Sequence, residues 1–332
     1  MNDVLTYGDI SPRTAAFAAA EMLRRGRPYL ILQPFGQSRP IPQNRSDTIK
    51  FRRYEALDPA TTPLTEGVTP QGNTMTATDV QATLQQYGDY VPISDKIMDT
   101  HEDPVFKEAQ AVTGEQAADT VEILLFNVLK AGTNVYYSTG ASRAAVTLPI
   151  SLGLQRKVIR GFKRQKARMI TKKQDSSVKF NTENVAKGFI AFVHPDMEND
   201  IRAMAGFIDV KDYGSMTPHD SEIGAVESVR YLYSTIFESW ADAGGANAAM
   251  IGTTDPAANV DVYPVIYVAA DSFAVTPLKG KNAIMPMVLN PGVPREGDPL
   301  GQRGYVGWKT WFAACILNQV WMARAEVAVS DL

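Results

Sequence analysis

Two stretches decide the fold: Asp47-Thr48-Ile49-Lys50-Phe51-Arg52-Arg53-Tyr54 and Val80-Gln81-Ala82-Thr83-Leu84-Gln85-Gln86-Tyr87-Gly88-Asp89-Tyr90. Each alternates apolar and polar side chains, which predicts a half-buried β-strand. About 25 residues rich in Thr, Pro and Gly separate the two strands, which is longer than most loops inside a compact domain. A hairpin of this length makes physical sense when it projects from its own subunit and packs on another molecule.

An arm rich in proline precedes the first strand. Residues 28–70 hold seven of the 20 prolines, and proline is excluded from helix interiors and central strands. Residues 27–46 are therefore predicted to form an extended arm. Before the arm, Ser11 as N-cap, Pro12 at the first helical position and Gly26 beyond the last turn predict a short helix.

A long helix is predicted after the second strand. Asp103-Pro104 is a typical start, Lys130 suits the negative end of the helix dipole, and Gly132 suits the position after the last turn. Apolar side chains recur in between at Val105, Ala109, Val112, Val121, Leu124, Leu125 and Val128. About 27 residues at roughly 1.5 Å each give a rod of about 40 Å, longer than the usual helix of a small domain.

Helices and strands are mixed in the rest of the chain, which predicts an α+β fold. Helices are expected at residues 152–169 and 196–205, and strands at 188–193, 226–233, 262–269, 305–316 and 320–329. In the last of these, Trp321, Ala323, Ala325, Val327 and Val329 are expected to face one way, and Arg324 and Glu326 the other.

The composition argues against a catalytic or metal-binding protein. The chain has 332 residues, a net charge of −3, one cysteine (Cys315) and three histidines far apart in sequence. Phosphate-binding, dinucleotide-binding, nucleophile-elbow and calcium-loop motifs are all incomplete. His194, before Pro195, is expected to be structural, and Cys315 to be a small buried residue. No cofactor, metal ion, catalytic residue, membrane-spanning segment or targeting signal is expected.

One segment has an unusual charge. From Ile123 to Gln174 the chain has no Asp or Glu but 11 Lys and Arg, nine of them between Arg156 and Lys173. Three interpretations stay open: a surface facing nucleic acid, a surface that docks on an acidic neighbour, and an ordinary solvated helix face. The candidates for inter-subunit electrostatics are Arg156, Arg160, Lys163, Arg164 and Arg168.

The order of elements resembles the major capsid proteins of tailed bacteriophages, which have the Hong Kong 97-type fold. Leu64-Thr65-Glu66-Gly67-Val68-Thr69-Pro70 looks like the tip of that family's extended loop. Gln86-Tyr87-Gly88-Asp89-Tyr90-Val91-Pro92-Ile93-Ser94-Asp95 looks like the loop's return into the spine helix. Asp298-Pro299-Leu300-Gly301-Gln302-Arg303-Gly304-Tyr305-Val306-Gly307-Trp308-Lys309 looks like the entry to the last peripheral strands. The stretches are similar to the N-four-like capsid family, the branch of the podophage that packages a giant RNA polymerase.

The resemblance implies a division of the chain into named parts. These are an N-terminal arm (1–46), an extended loop or β-hairpin (47–95), a spine helix with peripheral-domain residues (96–146), an axial domain (147–300) to which peripheral-domain strands return near 222–240, and C-terminal peripheral-domain strands (301–332).

The resemblance also implies a function in the virion. It implies self-assembly, in the host cytoplasm, into hexamers and pentamers of an icosahedral head shell that encloses double-stranded DNA. Other implied partners are a separate scaffolding protein, a portal and, as an optional addition, a decoration protein. The expected inter-subunit residues of the extended loop are Arg52, Arg53, Leu64, Glu66, Val68, Gln86 and Tyr87. The residues expected to face the interior or contact DNA weakly are Arg24, Arg25 and Arg27, with pairing to carboxylates of a neighbouring spine helix as the alternative.

Three alternatives to a phage capsid protein stay open. An encapsulin-like compartment has the same fold and would bind a cargo peptide at its N-terminal helix. A soluble α/β enzyme would need a pocket with converging polar groups and a perturbed titratable residue. A decoration or tail component would have a different symmetry, which electron microscopy of the purified protein distinguishes.

Overall fold

The computed structural model describes residues 30–41, 46–69, 72–100, 105–174, 182–214, 217–219, 221–278, 284–292, 294 and 297–331. The short helix expected before Gly26 lies outside them. The α-helices in the described part are α1 (Asp95–Thr100), α2 (Val105–Lys130), α3 (Leu152–Arg164) and α4 (Glu198–Arg202). Its strands are β1 (Gln37–Ser38), β2 (Thr48–Tyr54), β3 (Ala77–Thr83), β4 (Gln85–Ser94), β5 (Val135–Tyr137), β6 (Ile170–Gln174), β7 (Thr182–Val193), β8 (Phe207–Asp209), β9 (Glu222–Val226), β10 (Val229–Tyr233), β11 (Tyr263–Val268), β12 (Phe273–Val275), β13 (Met285–Leu289), β14 (Arg303–Phe312), β15 (Ala314–Ile316) and β16 (Met322–Val327).

The centre of the molecule is a mixed eight-stranded sheet in the order β5-β16-β11-β7-β10-β9-β8, with β6 paired to β7. Side chains of its middle strands are buried on both faces. In β7, Phe189, Ala191 and Val193 belong to one apolar core, and Ile190 and Phe192 to the other. Because both faces must be covered, the sheet lies between two layers.

The two covering layers come from distant parts of the chain. Helix α3 covers one face through Leu154, Val158 and Phe162. The C-terminal half of α2 covers the other face, together with the arm residues 31–35. The expected long helix is therefore confirmed, and its 26 residues end at Lys130 as the sequence indicated.

The base of the hairpin is held by a separate small core. Strands β2 and β3 pair in seven register positions, from Thr48 with Thr83 to Tyr54 with Ala77. Ala82 and Leu84 pack there with Ile41 of the arm and Ala313. The hairpin is thus anchored at its base to the arm and to the C-terminal strands.

The second strand of the hairpin does not continue as one ladder to Tyr90, contrary to expectation. The chain leaves β3 at Leu84, whose side chain is buried and whose amide donates to the carbonyl of Asp47. Strand β4 then pairs antiparallel with β14 over ten positions, in a sheet of order β13-β14-β4. The predicted strand 305–316 breaks in the same way at Ala313, after which β15 pairs with β12. Both breaks occur where a strand passes from one sheet to another.

Helix α3 ends five residues before the predicted residue 169 because a Schellman motif closes it. The amide of Ala167 donates to the carbonyl of Phe162, and the amide of Lys166 to that of Lys163. Lys166 has a left-handed backbone with φ of 54°, a conformation that usually belongs to glycine.

Two other predicted elements are also divided or shortened. The expected strand 226–233 is the end of β9 and the whole of β10, because Glu227 turns the chain with a positive φ of 54°. The expected helix 196–205 is a 3₁₀ turn at Pro195–Met197 followed by the five residues of α4.

Replacement of Lys166 by glycine is expected to stabilise the subunit by about 0.5–1 kcal/mol, since glycine adopts the left-handed conformation without a steric penalty. Lys157→Gly, in the middle of α3, is the matched control and should destabilise by about 1 kcal/mol. Urea unfolding of the two variants measures both effects. Equal destabilisation by both substitutions would contradict the assignment of the helix end.

Candidate assembly surfaces

The tip of the hairpin is the most exposed part of the described chain. Every described residue from Arg52 to Asp79 is exposed, and between Tyr54 and Ala77 there is no regular structure apart from a turn at Glu66-Gly67. Large apolar side chains are nonetheless frequent there, namely Tyr54, Leu57, Leu64, Val68 and Met75, which are 53–79% exposed. An apolar surface of this kind on a projecting loop is typical of an interaction site.

The strands that carry the tip are joined by a cross-strand ion pair. The guanidinium of Arg52 donates to both carboxylate oxygens of Asp79, at 2.8 and 2.9 Å. This pairing lowers the pKa of Asp79 from its ordinary value. Arg53 lies opposite Thr78 and is exposed. Of the expected loop residues, Leu64, Glu66 and Val68 lie at the tip, and Arg52 and Arg53 lie on its stem.

A second candidate surface lies on the sheet β13-β14-β4. One face of this sheet packs on α2, where Gln116 accepts from the indole of Trp308 and donates to Asp89. The sheet also has a trough of about 740 Å³, which we call the outer trough. Its walls are formed by Gln86, Tyr87, Gly88, Asp89, Tyr90, Met287, Tyr305, Gly307, Trp308 and Lys309.

Two glycines keep the floor of the outer trough open. A Cβ on Gly307 would lie 2.7 Å from both the carbonyl of Asp89 and the Cβ of Tyr90. A Cβ on Gly88 would lie 2.6 Å from the carbonyl of Trp308. The rings of Tyr90 and Tyr305 meet edge to face above this floor. The expected inter-subunit residues Gln86 and Tyr87 thus lie in this trough, away from the tip.

The third candidate surface is a basic cleft on α3, of about 480 Å³. Arg160, Lys163 and Arg164 line it and are exposed, whereas Arg156 pairs with Glu227 of the β9–β10 turn. This pairing lowers the pKa of the Glu227 carboxyl. The cleft as a whole is lined by Arg156, Ile159, Arg160, Lys163, Arg164, Glu227 and Ser228. Four cations face one carboxylate, so the cleft suits an acidic partner.

The other expected charged residues are not in this cleft. Arg168 is exposed beyond the end of α3, outside the lining residues. Arg24, Arg25 and Arg27 lie outside the described residues.

Several charged side chains are buried, and the sequence analysis did not predict them. Glu222 is fully buried and accepts two hydrogen bonds from Arg230, and it also accepts from Tyr213, whose pKa is raised mainly by burial. Glu326 is fully buried between Arg143 and Arg324. The only sequence signal was the alternation of these residues with apolar ones, which also describes a solvated strand face.

His194 and Cys315, which the sequence analysis weighed for a catalytic role, are both packed within the fold. His194 lies 3.0 Å from Asp196 and packs against Tyr263, and burial lowers its pKa. Cys315 is buried in the core at the hairpin base, which raises its pKa to about 11. Among the described residues no three His, Cys, Asp or Glu are grouped as metal ligands would be. No helix in the described ranges has the length and hydropathy needed to span a bilayer.

Solved structures of phage capsids share this fold. The capsid of Ralstonia phage GP4 matches with a TM-score of 0.65 at 11% identity, covering 90% of this chain and 88% of that one. The Cyanophage Pam1 capsid matches with a TM-score of 0.61 at 15% identity, covering 93% of each chain. The head of Helicobacter pylori bacteriophage KHP40 matches with a TM-score of 0.59 at 11% identity, covering 90% of this chain and 88% of that one.

The family is given by the sequence itself. Residues 76–325, about three quarters of the chain, match the family described as phage capsid protein, and the chain belongs to this family. It is therefore a structural shell protein of the virion, which assembles with copies of itself, and not an enzyme. The Hong Kong 97-type architecture expected from the order of elements is confirmed, whereas the podophage branch stays a prediction. No curated protein matches the chain.

The pairing of Arg156 with Glu227 gives a prediction about pH. In an Arg156→Met variant the pKa of Glu227 should rise toward its ordinary value, because the cation that stabilises its charged form is removed. Carbon-detected NMR titration of glutamate carboxyls measures the change. Arg168→Met, which removes an exposed cation outside the cleft, should leave the Glu227 titration unchanged; an equal rise there would contradict a specific pair.

Proposed function

We propose that this protein is the major capsid protein of a tailed phage, forming hexamers and pentamers of an icosahedral head shell around double-stranded DNA, with the hairpin tip and the outer trough as principal contacts between copies. The observation that supports the tip contact is the exposed apolar tip between Tyr54 and Ala77, which has no core of its own in the subunit.

The free-energy cost of ordering the tip is offset when a partner surface buries its apolar side chains. Ordering a backbone residue costs about 1–2 kcal/mol, and the tip orders some twenty residues without burying them within the subunit. Full burial of a Leu, Val or Met side chain contributes about 1.5–3 kcal/mol. Leu57, Leu64 and Val68 therefore stabilise an ordered tip only when a neighbouring surface covers them.

The outer trough of a neighbouring copy has the chemistry to cover the tip. Its aromatic rings Tyr90 and Tyr305 and the side chain of Met287 offer apolar contact area on an uncovered sheet face. Gly88 and Gly307 carry no side chain, so the floor beside these rings stays low. Because the tip and the trough are different surfaces, their contact is heterologous, which generates closed rings when the rotation between copies closes.

The basic cleft is the second proposed contact between subunits. Its excess of three positive charges is complementary to the segment Asp196–Asp212, which has five acidic and two basic residues and so a net charge of −3. Exposed ion pairs contribute only about 0–1 kcal/mol each, but the contact repeats around a ring. This contact sets orientation and salt dependence more than affinity.

For the division of the chain into parts, we propose the boundaries that the family architecture implies. We propose an arm at 1–46, an extended loop at 47–95, a spine helix and peripheral residues at 96–146, an axial domain at 147–300 with returning peripheral strands near 222–240, and peripheral strands at 301–332. A scaffolding protein, a portal and a decoration protein are the proposed further partners. The arm arginines at positions 24, 25 and 27 are proposed to contact packaged DNA weakly and without base reading.

The double variant Leu64→Asp and Val68→Asp should fold but form at least about tenfold fewer shells, because it removes two apolar contacts of about 1.5–3 kcal/mol each and buries charge. Density-gradient sedimentation and electron microscopy measure the yield of shells, and circular dichroism measures folding.

The matched control for the tip is Thr62→Asp with Thr69→Asp, which adds the same charge to the same loop without removing apolar surface. It should assemble far better than the Leu64/Val68 variant. Normal shell yield from the Leu64/Val68 variant would refute the role of the tip.

Charge reversal in the cleft, Arg160→Glu with Arg164→Glu, should reduce assembly and change its salt dependence, because it turns attraction for an acidic neighbour into repulsion. Lys107→Glu with Lys187→Glu makes the same change in net charge at exposed positions outside the cleft. Light scattering between about 0.05 and 0.5 M salt compares the variants. The solvated-face interpretation is correct if both double variants assemble alike at every salt concentration.

A further inference from the structure

A fully buried carboxylate joins the spine helix to the arm. Glu122, in the middle of α2, has no exposed surface. Its Oε1 atom accepts hydrogen bonds from the backbone amides of Ile31 at 3.0 Å and of Leu32 at 2.5 Å. These donors are about ninety residues away in sequence, so the contact is a tertiary link between arm and helix.

The second oxygen of Glu122 has no hydrogen-bond partner among the described residues. Asp119, one turn earlier on the same helix, also has a buried oxygen without a partner there. A buried oxygen that carries charge without a donor is costly, whereas a neutral hydroxyl in the same place costs much less. The geometry therefore favours a protonated Glu122 while the arm is bound.

No cation among the described residues around Glu122 compensates its charge. Asp119 acts on it with like charge, and residues 30–35 of the arm have no ionisable side chain. The strand β6, which packs on the arm, contributes the exposed Lys172. His219 meets the ring of Phe35 edge to face and is not among the groups that shift the pKa of Glu122.

The elements against α2 bring further titratable groups: Arg303, Tyr305 and Lys309 on β14, Tyr87, Asp89 and Tyr90 on β4, Cys315 on β15, Tyr263 and Tyr267 on β11, and Asp95, Lys96 and Asp99 on α1. None of them is among the groups that shift the pKa of Glu122. Lys309 of β14 lines the outer trough, and Cys315 of β15 lies in the core at the hairpin base. Among the described residues, the buried carboxyl of Glu122 thus has two backbone amides as its hydrogen-bond donors.

We propose that Glu122 is a proton-controlled clasp that holds residues 31–32 of the arm on the spine helix when its carboxyl is neutral and loosens them when the carboxyl ionises. Ile31, Leu32 and Phe35 are buried beside this contact, so loosening exposes apolar surface. The clasp acts within one subunit and does not depend on which surfaces join copies in the shell.

The direction of the pH effect follows from the burial. Burial raises the pKa of Glu122 to about 8, while the released, solvated group has its ordinary value near 4.5. The bound arm therefore holds the proton more tightly than the released arm. The stabilisation is fully present below pH 4.5 and is lost progressively as the pH rises from 4.5 through about 8.

Hydrogen exchange of the amides of Ile31 and Leu32 in the full-length chain tests the clasp. After correction for intrinsic exchange rates, their protection should fall by up to about tenfold for each pH unit between pH 5 and 8. Glu122→Gln retains a carbonyl acceptor without an ionisable group, so its protection should be independent of pH. Glu108→Gln, an exposed change on the same helix, should keep the wild-type slope.

A second variant tests the same clasp without touching its hydrogen bonds. Asp119→Asn removes the like charge that raises the pKa of Glu122, so the pH at which protection is lost should move down. Protection that is flat with pH in the wild type would overturn the proposal, as would an unchanged slope in Glu122→Gln. If the Gln variant fails to fold, the wild-type slope and the shift in Asp119→Asn decide alone.

Discussion

The rest of the molecule depends on the burial of both faces of strand β7. Its side chains alternate between two apolar cores, with Phe189 on one face and Phe192 on the other. A strand of this kind is stable only when both sides are covered. Helix α3 covers the first side, and the second half of α2 covers the other with residues 31–35 of the arm. The arm is thus part of the core where it crosses the sheet.

The same layering explains why buried carboxylates differ in behaviour. Glu222 pairs with Arg230 on the neighbouring strand, and Glu326 with Arg143 and Arg324, so each has a cationic partner. Glu122 lies where the arm crosses the spine helix, and its donors among the described residues are two backbone amides. Two of these carboxylates have cationic partners, whereas Glu122 has none among the described residues, so the contact of the arm depends on its protonation.

Strong local patterns made much of the fold predictable. The elements that were predicted wrongly depend on contacts between residues far apart in sequence. The end of α2 at Lys130 and the apolar face of β16 follow from periodicity and caps. The end of α3 does not, because Lys166 takes a conformation that the sequence rules give to glycine. The breaks at Leu84 and Ala313 arise from a change of sheet partner, which alternation does not encode. Of the candidate surfaces, the tip and the basic segment were predicted, but the outer trough needed the register that brings Gly88 and Gly307 into one sheet face.

The arm is held at two places with different chemistry, and this limits what the clasp at Glu122 can release. Residues 37–38 pair with β12, and Ile41 is buried in the core that anchors the hairpin base. Neither contact contains an ionisable partner whose charge changes near neutral pH. Ionisation of Glu122 therefore loosens the arm before β1 and leaves Ile41 in place. The hairpin base keeps its packing while residues 31–35 loosen, so the pH response is confined to the part of the arm before β1.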